Sequence, residues 1–262
     1  MTTTFPFLLP DACKRVGIRP TSRAFMGQNV IATRKQYDVY HTIRYSYGFL
    51  SSRQFRIIDD HFRTMDGGKT SFYVVDWGDP RPISAIAGDR VTVNNVQGLS
   101  VSTGDGGNNI ILWQNSGDYG DSCTVSGNVI TDTKRTWTDS EWQNHRFMDS
   151  VGNRYNASDN TSNTLTISTA STIRSGAYDI YRYVSRTVSS INTTLRRLSL
   201  SASPTMTYTS PVEKFVLPVY ECYYAQDSLG IEATEDFNYE PNDNYGPYYS
   251  GSIEFIQKGT GT

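Results

Sequence analysis

Residues 37–80 constrain the fold of this 262-residue chain more than any other stretch. Tyr37, Val39, His41, Ile43, Tyr45, Tyr47 and Phe49 alternate with Asp38, Tyr40, Thr42, Arg44, Ser46 and Gly48. That period of two predicts a long strand with one buried and one wet face. Ser51 or Ser52 then offers an N-cap hydroxyl. Phe55, Ile58, Phe62 and Met65 follow at spacings of 3, 4 and 3, which makes one apolar stripe on a helix. Gly67 and Gly68 should end that helix, because glycine takes left-handed dihedrals at little cost. Residues 71–76 return as a second strand, and residues 77–80 turn off it.

The rest of the chain reads as β structure. Charged residues make up 19 % of it, below the usual share of about 25 %, and Ser, Thr, Asn, Gly and 18 Tyr fill the gap. Such a mix favours strands and turns. Residues 90–94 and 109–113 are candidate strands, with a hairpin-type turn at 104–109 and a turn or loop at 117–121. Residues 128–170 form a small β module of their own, holding Trp137 and Trp142. Thr138 and Glu141 stand at capping-box spacing there. The two tryptophans plug a small core or form an aromatic platform for sugar rings.

A strand pattern resumes at 178–184. Val188, Ile191, Leu195 and Leu198 are spaced 3-4-3, which suits a short helix, although the Ser and Thr around them lower its propensity. From Phe215 the alternation returns with Leu217, Val219 and Tyr223. Pro218 inside it predicts an edge or bulged strand, since proline cannot donate to a ladder. Residues 228–250 read as a long loop suited to subunit contact.

Chemistry-bearing patterns are few. Cys13, Cys123 and Cys222 are far apart and odd in number, and read as reduced thiols. The matches to the glycosylation pattern at Asn156, Asn160 and Asn192 are what chance gives in a chain this rich in Asn, Ser and Thr. His41 falls on the apolar face of the first strand, His61 beside the helix stripe and His145 in the module. No HExxH or GxSxG order occurs. Asp59 and Asp60 point about 100° apart on a helix and read as solvated charges. Glu235, Asp236, Glu240 and Asp243 lack the spacing of a calcium loop. The expectation is therefore no enzyme, with no catalytic, cofactor or metal residues. A net charge of −2 argues against nucleic acid as a partner. No apolar run approaches the about 20 residues of a membrane span. The N-terminus lacks the basic and apolar regions of a signal peptide, which predicts folding in the cytoplasm.

Charge is unevenly distributed. Residues 1–90 hold 13 Lys or Arg against 8 Asp or Glu, and residues 215–262 hold Lys258 against eight acids. Either the acidic end is a solvated loop, or opposite ends meet between subunits of a ring.

The opening Phe5-Pro-Phe-Leu-Leu-Pro10, the strand ending Arg44-Tyr-Ser-Tyr-Gly-Phe49, the helix from Gln54 to Phe62, the return from Gly67 to Tyr73 and the closing Asp76-Trp-Gly-Asp79 together resemble the N-terminal domain of the distal tail proteins of phages and gene-transfer agents. The likeness covers the first third of the chain. It extends more thinly to residues 211–257, through Phe215-Val-Leu-Pro-Val-Tyr-Glu221 and Ile253-Glu-Phe-Ile256.

The resemblance implies a mainly β fold, a sandwich- or barrel-like tail-tip domain with one short helix between strands. Residues 1–86, completed by 211–262, would form the ring-forming domain. Residues 87–210 would be an outer region containing the 128–170 module. It implies a structural virion protein made in the host cytoplasm, a ring-forming subunit, six-fold by analogy, between the tail tube protein and the baseplate hub. Phe55, Phe62, Glu235, Asp236 and Glu240 are the expected interface residues. The alternative is a carbohydrate-binding receptor module contacting a host surface glycan through Trp137 and Trp142.

Overall fold

Six antiparallel strands close on themselves into a barrel, and one of them continues out of it to become the spine of a second sheet. The computed structural model describes residues 4–18, 21–26, 29–35, 40–99, 101, 109–169, 172–204, 206, 213–234 and 248–258, with backbone alone at 18, 21–26, 29–35, 40 and 109. In chain order the first elements are β1 (Ala12–Ile18), β2 (Thr21–Met26), β3 (Asn29–Lys35), β4 (Tyr40–Leu50), α1 (Ser52–Thr64), β5 (Phe72–Val75), β6 (Arg81–Ala87) and β7 (Arg90–Val93). Then come β8 (Asn109–Gly120), β9 (Thr124–Ser126), β10 (Val129–Thr131), β11 (Arg146–Met148), β12 (Arg154–Asn160) and β13 (Thr164–Ile167). The last are β14 (Tyr178–Asn192), β15 (Arg197–Leu200), β16 (Lys214–Tyr224), β17 (Gly230–Ala233) and β18 (Tyr249–Gln257). The fold is mainly β, with a closed barrel and one helix among the described residues.

The barrel runs β6–β7–β15–β14–β8–β16 and back to β6. Period-two alternation fills it. Ile83, Val91, Val93, Ile110, Leu112, Val184, Val188, Leu198, Leu200 and Val216 form one buried cluster. The neighbours on β8, Ile111 and Trp113, face the other way into a second cluster around the first sheet. The expected boundary after residue 86 therefore falls inside a barrel hairpin, because β6 pairs with β7 across it.

The sheet order is β1–β4–β18–β16–β5, with β17 on β18. Pro218 sits in the middle of β16, in a central strand rather than an edge one. Its nitrogen is not missed because β16 changes partner there: β6 pairs at Phe215 and Val216, and β5 takes over from Val219. The Pro218 carbonyl still accepts from the Asp76 N–H at 2.8 Å.

On β4 the alternation holds for Ile43, Tyr45 and Tyr47, which are buried, and then fails. Against β18, Tyr47 lies opposite Gly251 but Leu50 opposite Tyr249, so β4 carries one extra residue. That bulge turns Leu50 inward and leaves Phe49 66 % exposed. Tyr37 and Val39 lie outside the described residues.

Three further expectations are corrected. Residues 117–120 are strand, not turn, and belong to β8. Their glycines mark close approach: a Cβ at Gly117 would meet the Ile180 carbonyl at 2.4 Å, and one at Gly120 the Tyr178 ring at 2.3 Å. Residues 188–198 form the β14–β15 hairpin, so their helical spacing arose from counting across a turn. Residues 230–233 form β17 within the expected loop. The 104–109 turn lies almost wholly outside the described residues.

The 128–170 module is a sheet in the order β9–β10–β13–β12–β11, joined to the barrel through β14. Its buried cluster holds Trp137, Trp142, Phe147, Leu165 and Tyr178. Asp149, fully buried, accepts from the N–H groups of Val151, Asn153 and Arg174 and organises the turn after β11.

Candidate functional site

The connector between β4 and β5 is built as its residues dictate. Ser51 caps α1: its hydroxyl accepts from the Gln54 N–H, and the Gln54 side chain accepts from the Ser51 N–H, a reciprocal capping box. At the other end the left-handed region begins one residue early, at Asp66 (φ 51°), and Gly67 continues it (φ 61°). The buried face is Ile57, Ile58 and Met65.

Phe55 and Phe62 lie at the margins of that face, and both rings are engaged within this chain. Phe55 stacks on Tyr249 with centroids 4.1 Å apart and planes at 8°. Phe62 meets Tyr224 edge-on at 4.8 Å. Both rings are half-buried and pack against the sheet–helix core. Glu235, Asp236, Glu240 and Asp243 lie outside the described residues.

Trp137 and Trp142 are 8 % and 6 % exposed, so no sugar ring can lie on them. They meet edge-on in the module core at 6.5 Å. Trp137 Nε1 donates to Asp118 Oδ2 at 2.7 Å, and Asn160 Oδ1 accepts from the Trp142 N–H at 2.6 Å. The platform reading of this pair is overturned by burial, for a module this small needs both rings inside.

The histidines are scattered. His61 Nδ1 lies 2.8 Å from the Tyr224 hydroxyl, and His145 Nε2 lies 3.0 Å from Ser116 Oγ. Burial holds both imidazoles down at about 4. Burial also lowers the His41 pKa, with Arg15 adding to the effect. Burial pushes the Cys13 thiol up to about 12, helped by the Asp76 carboxylate beside it. Such a thiol is a poor nucleophile. Cys123 and Cys222 are buried, unpaired and likewise raised. Asp59 pairs with Arg63 one turn along the helix at 2.8 Å. Among the described residues no three His, Cys, Asp or Glu side chains converge, and no helix is long and apolar enough to cross a membrane.

Two surface features stand out instead. The first is the β2–β3 hairpin, which lies in the chain between β1 and β4. It is a sheet of two strands, paired from Thr21↔Lys35 to Met26↔Asn29, and among the described residues neither strand pairs with a third. The second is an open cleft where the end of β4 and the start of α1 face β8 and β14. Sequence reasoning passed over both. The signal for the first was available: residues 12–35 hold Lys14, Arg15, Arg19, Arg23, Arg34 and Lys35 and no acid. The second depends on the β4 bulge and on which tyrosines remain outside, which no spacing rule reveals.

Compared with known proteins, the chain matches no family model. No curated protein matches it either.

Proposed function

We propose that this chain is a structural subunit of a phage tail tip, a distal tail or adaptor protein that forms a ring between the tail tube and the baseplate hub. The observation that carries the reading is the β2–β3 hairpin with no third strand among the described residues. A two-stranded hairpin is marginal on its own in water, and its open edges are templates for pairing with another chain. Addition of a strand across subunits is a standard use of such an edge.

Charge supports the same arrangement. The hairpin and β1 bring six cations and no acid over residues 12–35, while residues 215–262 bring eight acids and one lysine. In a head-to-tail ring, unlike surfaces of identical copies meet, and complementary charge fixes their register. The likeness of residues 5–79 to distal tail proteins suggests six copies. The role is geometric, without catalysis: the β1–β4 region closes the ring, the tube and hub proteins bind its two faces, and the barrel and module stand outside. In the mature particle the chain sits at the tail tip of the virion.

The test is the mass of the purified protein by light scattering as concentration rises and salt falls, for the full chain and for a variant with residues 20–36 replaced by a short Gly-Ser linker. The reading expects a ring-sized species for the full chain that is lost on hairpin removal and weakened by salt. A ring that survives hairpin removal would contradict it.

A further inference from the structure

We infer that the cleft between the β4–α1 junction and the β8–β14 pair binds a pyranose oligosaccharide. The cleft has a volume of about 570 Å³, within the range of small-ligand sites. Phe49 and Tyr119 are 66 % and 69 % exposed, and they are the two aromatic rings among the large apolar side chains that the described residues leave exposed. Both line this one cleft. Exposed apolar residues scattered singly need no explanation, whereas two exposed rings lining one concavity do.

The rings are held in place. The bulge on β4 turns Phe49 outward, where it leans on Tyr248 with centroids 4.8 Å apart and planes at 53°. Arg135 lies 5.8 Å over the Tyr119 ring, and ion pairs to Asp118 and Asp132 fix Arg135 in turn. Arg53, Asp121 and Asp179 line the same cleft. Arg53 donates to Asp179 at 2.9 Å, which leaves acceptor capacity on that carboxylate.

This mixture selects the ligand class. A sugar presents apolar C–H faces to aromatic rings and hydroxyls that both donate and accept at its rim. An apolar peptide or lipid would leave Asp121 and Asp179 desolvated against it, and the same carboxylates repel a phosphate backbone. Trp137 and Trp142 have no part in this site. The inference does not depend on ring formation, because the lining residues named here all belong to one chain.

The experiment is calorimetric titration of the full chain with chitohexaose, maltohexaose and mannohexaose at millimolar concentration. It is repeated on Phe49→Ala, Tyr119→Ala and Asp121→Asn, whose positions are exposed enough to leave folding intact, with circular dichroism as the check. Binding of at least one sugar is expected, weakened tenfold or more by each ring removal and several-fold by Asp121→Asn. Heat from none of the three sugars overturns the inference, and so does binding that survives both ring removals. Light-scattering mass is read separately, so failure here leaves the ring reading standing.

Discussion

Arg53 Nη1 donates to Asp179 Oδ2 at 2.9 Å, and its Nη2 donates to the Asp149 carbonyl at 2.7 Å. One guanidinium on the first turn of α1 thus ties the connector to β14 and to the turn after β11. The Arg53 side chain is 11 % exposed and that of Asp179 29 %. Removing one partner of a pair this sheltered strands the other charge, and measured costs run higher than for surface pairs. Arg53→Met should lower stability by about 2 kcal/mol, seen as a shift in urea midpoint at unchanged slope. Asp179→Asn should cost less, since Asp179 is closer to water.

The Asp149 carboxylate should matter more. It accepts three backbone N–H groups and the side chains of Asn153 and Tyr155, all within 3.3 Å. Asp149→Ala leaves those donors unpaired in a buried turn, and should cost about 3–5 kcal/mol in urea unfolding. Near-ultraviolet dichroism from Trp137 and Trp142 should fall with it, because their core stands on the same module.

Gly120 tests the reading of residues 117–120 as strand. An alanine Cβ there would lie 2.3 Å from the Tyr178 ring, whose hydroxyl is bound to Asp132 at 2.8 Å and cannot swing away freely. Gly120→Ala should cost about 2–3 kcal/mol by thermal or urea unfolding. An exposed turn glycine with negative φ would instead show a change near zero or a small gain.

Acid should weaken the fold through its histidines. His61 and His145 have pKa values lowered by burial from 6.5 to about 4. The unfolded imidazole takes a proton near 6.5 and the folded one resists until about 4, so acidification across that window favours the unfolded chain. Each site contributes at most about 3 kcal/mol of this loss. Asp76, whose pKa burial raises, protonates earlier in the folded state and offsets part of it. The urea midpoint should therefore fall between about pH 6.5 and about pH 4, and the slope should flatten in a His61→Asn, His145→Asn double variant.

Much of the fold was legible because local patterns and tertiary contacts agree. The capping box at Ser51 and Gln54, the strand over Phe72–Val75 and the tryptophans at the module core all follow from spacing and residue type. The failures share a cause. Phe49, Gly117 and Pro218 each occupy positions where a neighbouring strand decides the outcome: a bulge, a close backbone approach and a change of partner. The barrel-like fold was implied by the resemblance, but which strands close it was hidden, since closure depends on β16 pairing with β6 and β8 across long sequence separations. The partners of Phe55 and Phe62 were hidden as well, because a helix stripe shows which face is apolar, not what packs on it. Here Tyr249 and Tyr224, from the far end of the chain, do so.

Backbone hydrogen exchange over Thr21–Met26 and Asn29–Lys35, compared between monomeric and assembled protein, tests the central claim most directly. The ring account predicts rapid exchange at the outward-facing amides of both strands in the monomer, and strong protection once copies assemble and a third strand pairs with the hairpin. Equally fast exchange in both states would mean that the hairpin grips nothing, and would contradict the account.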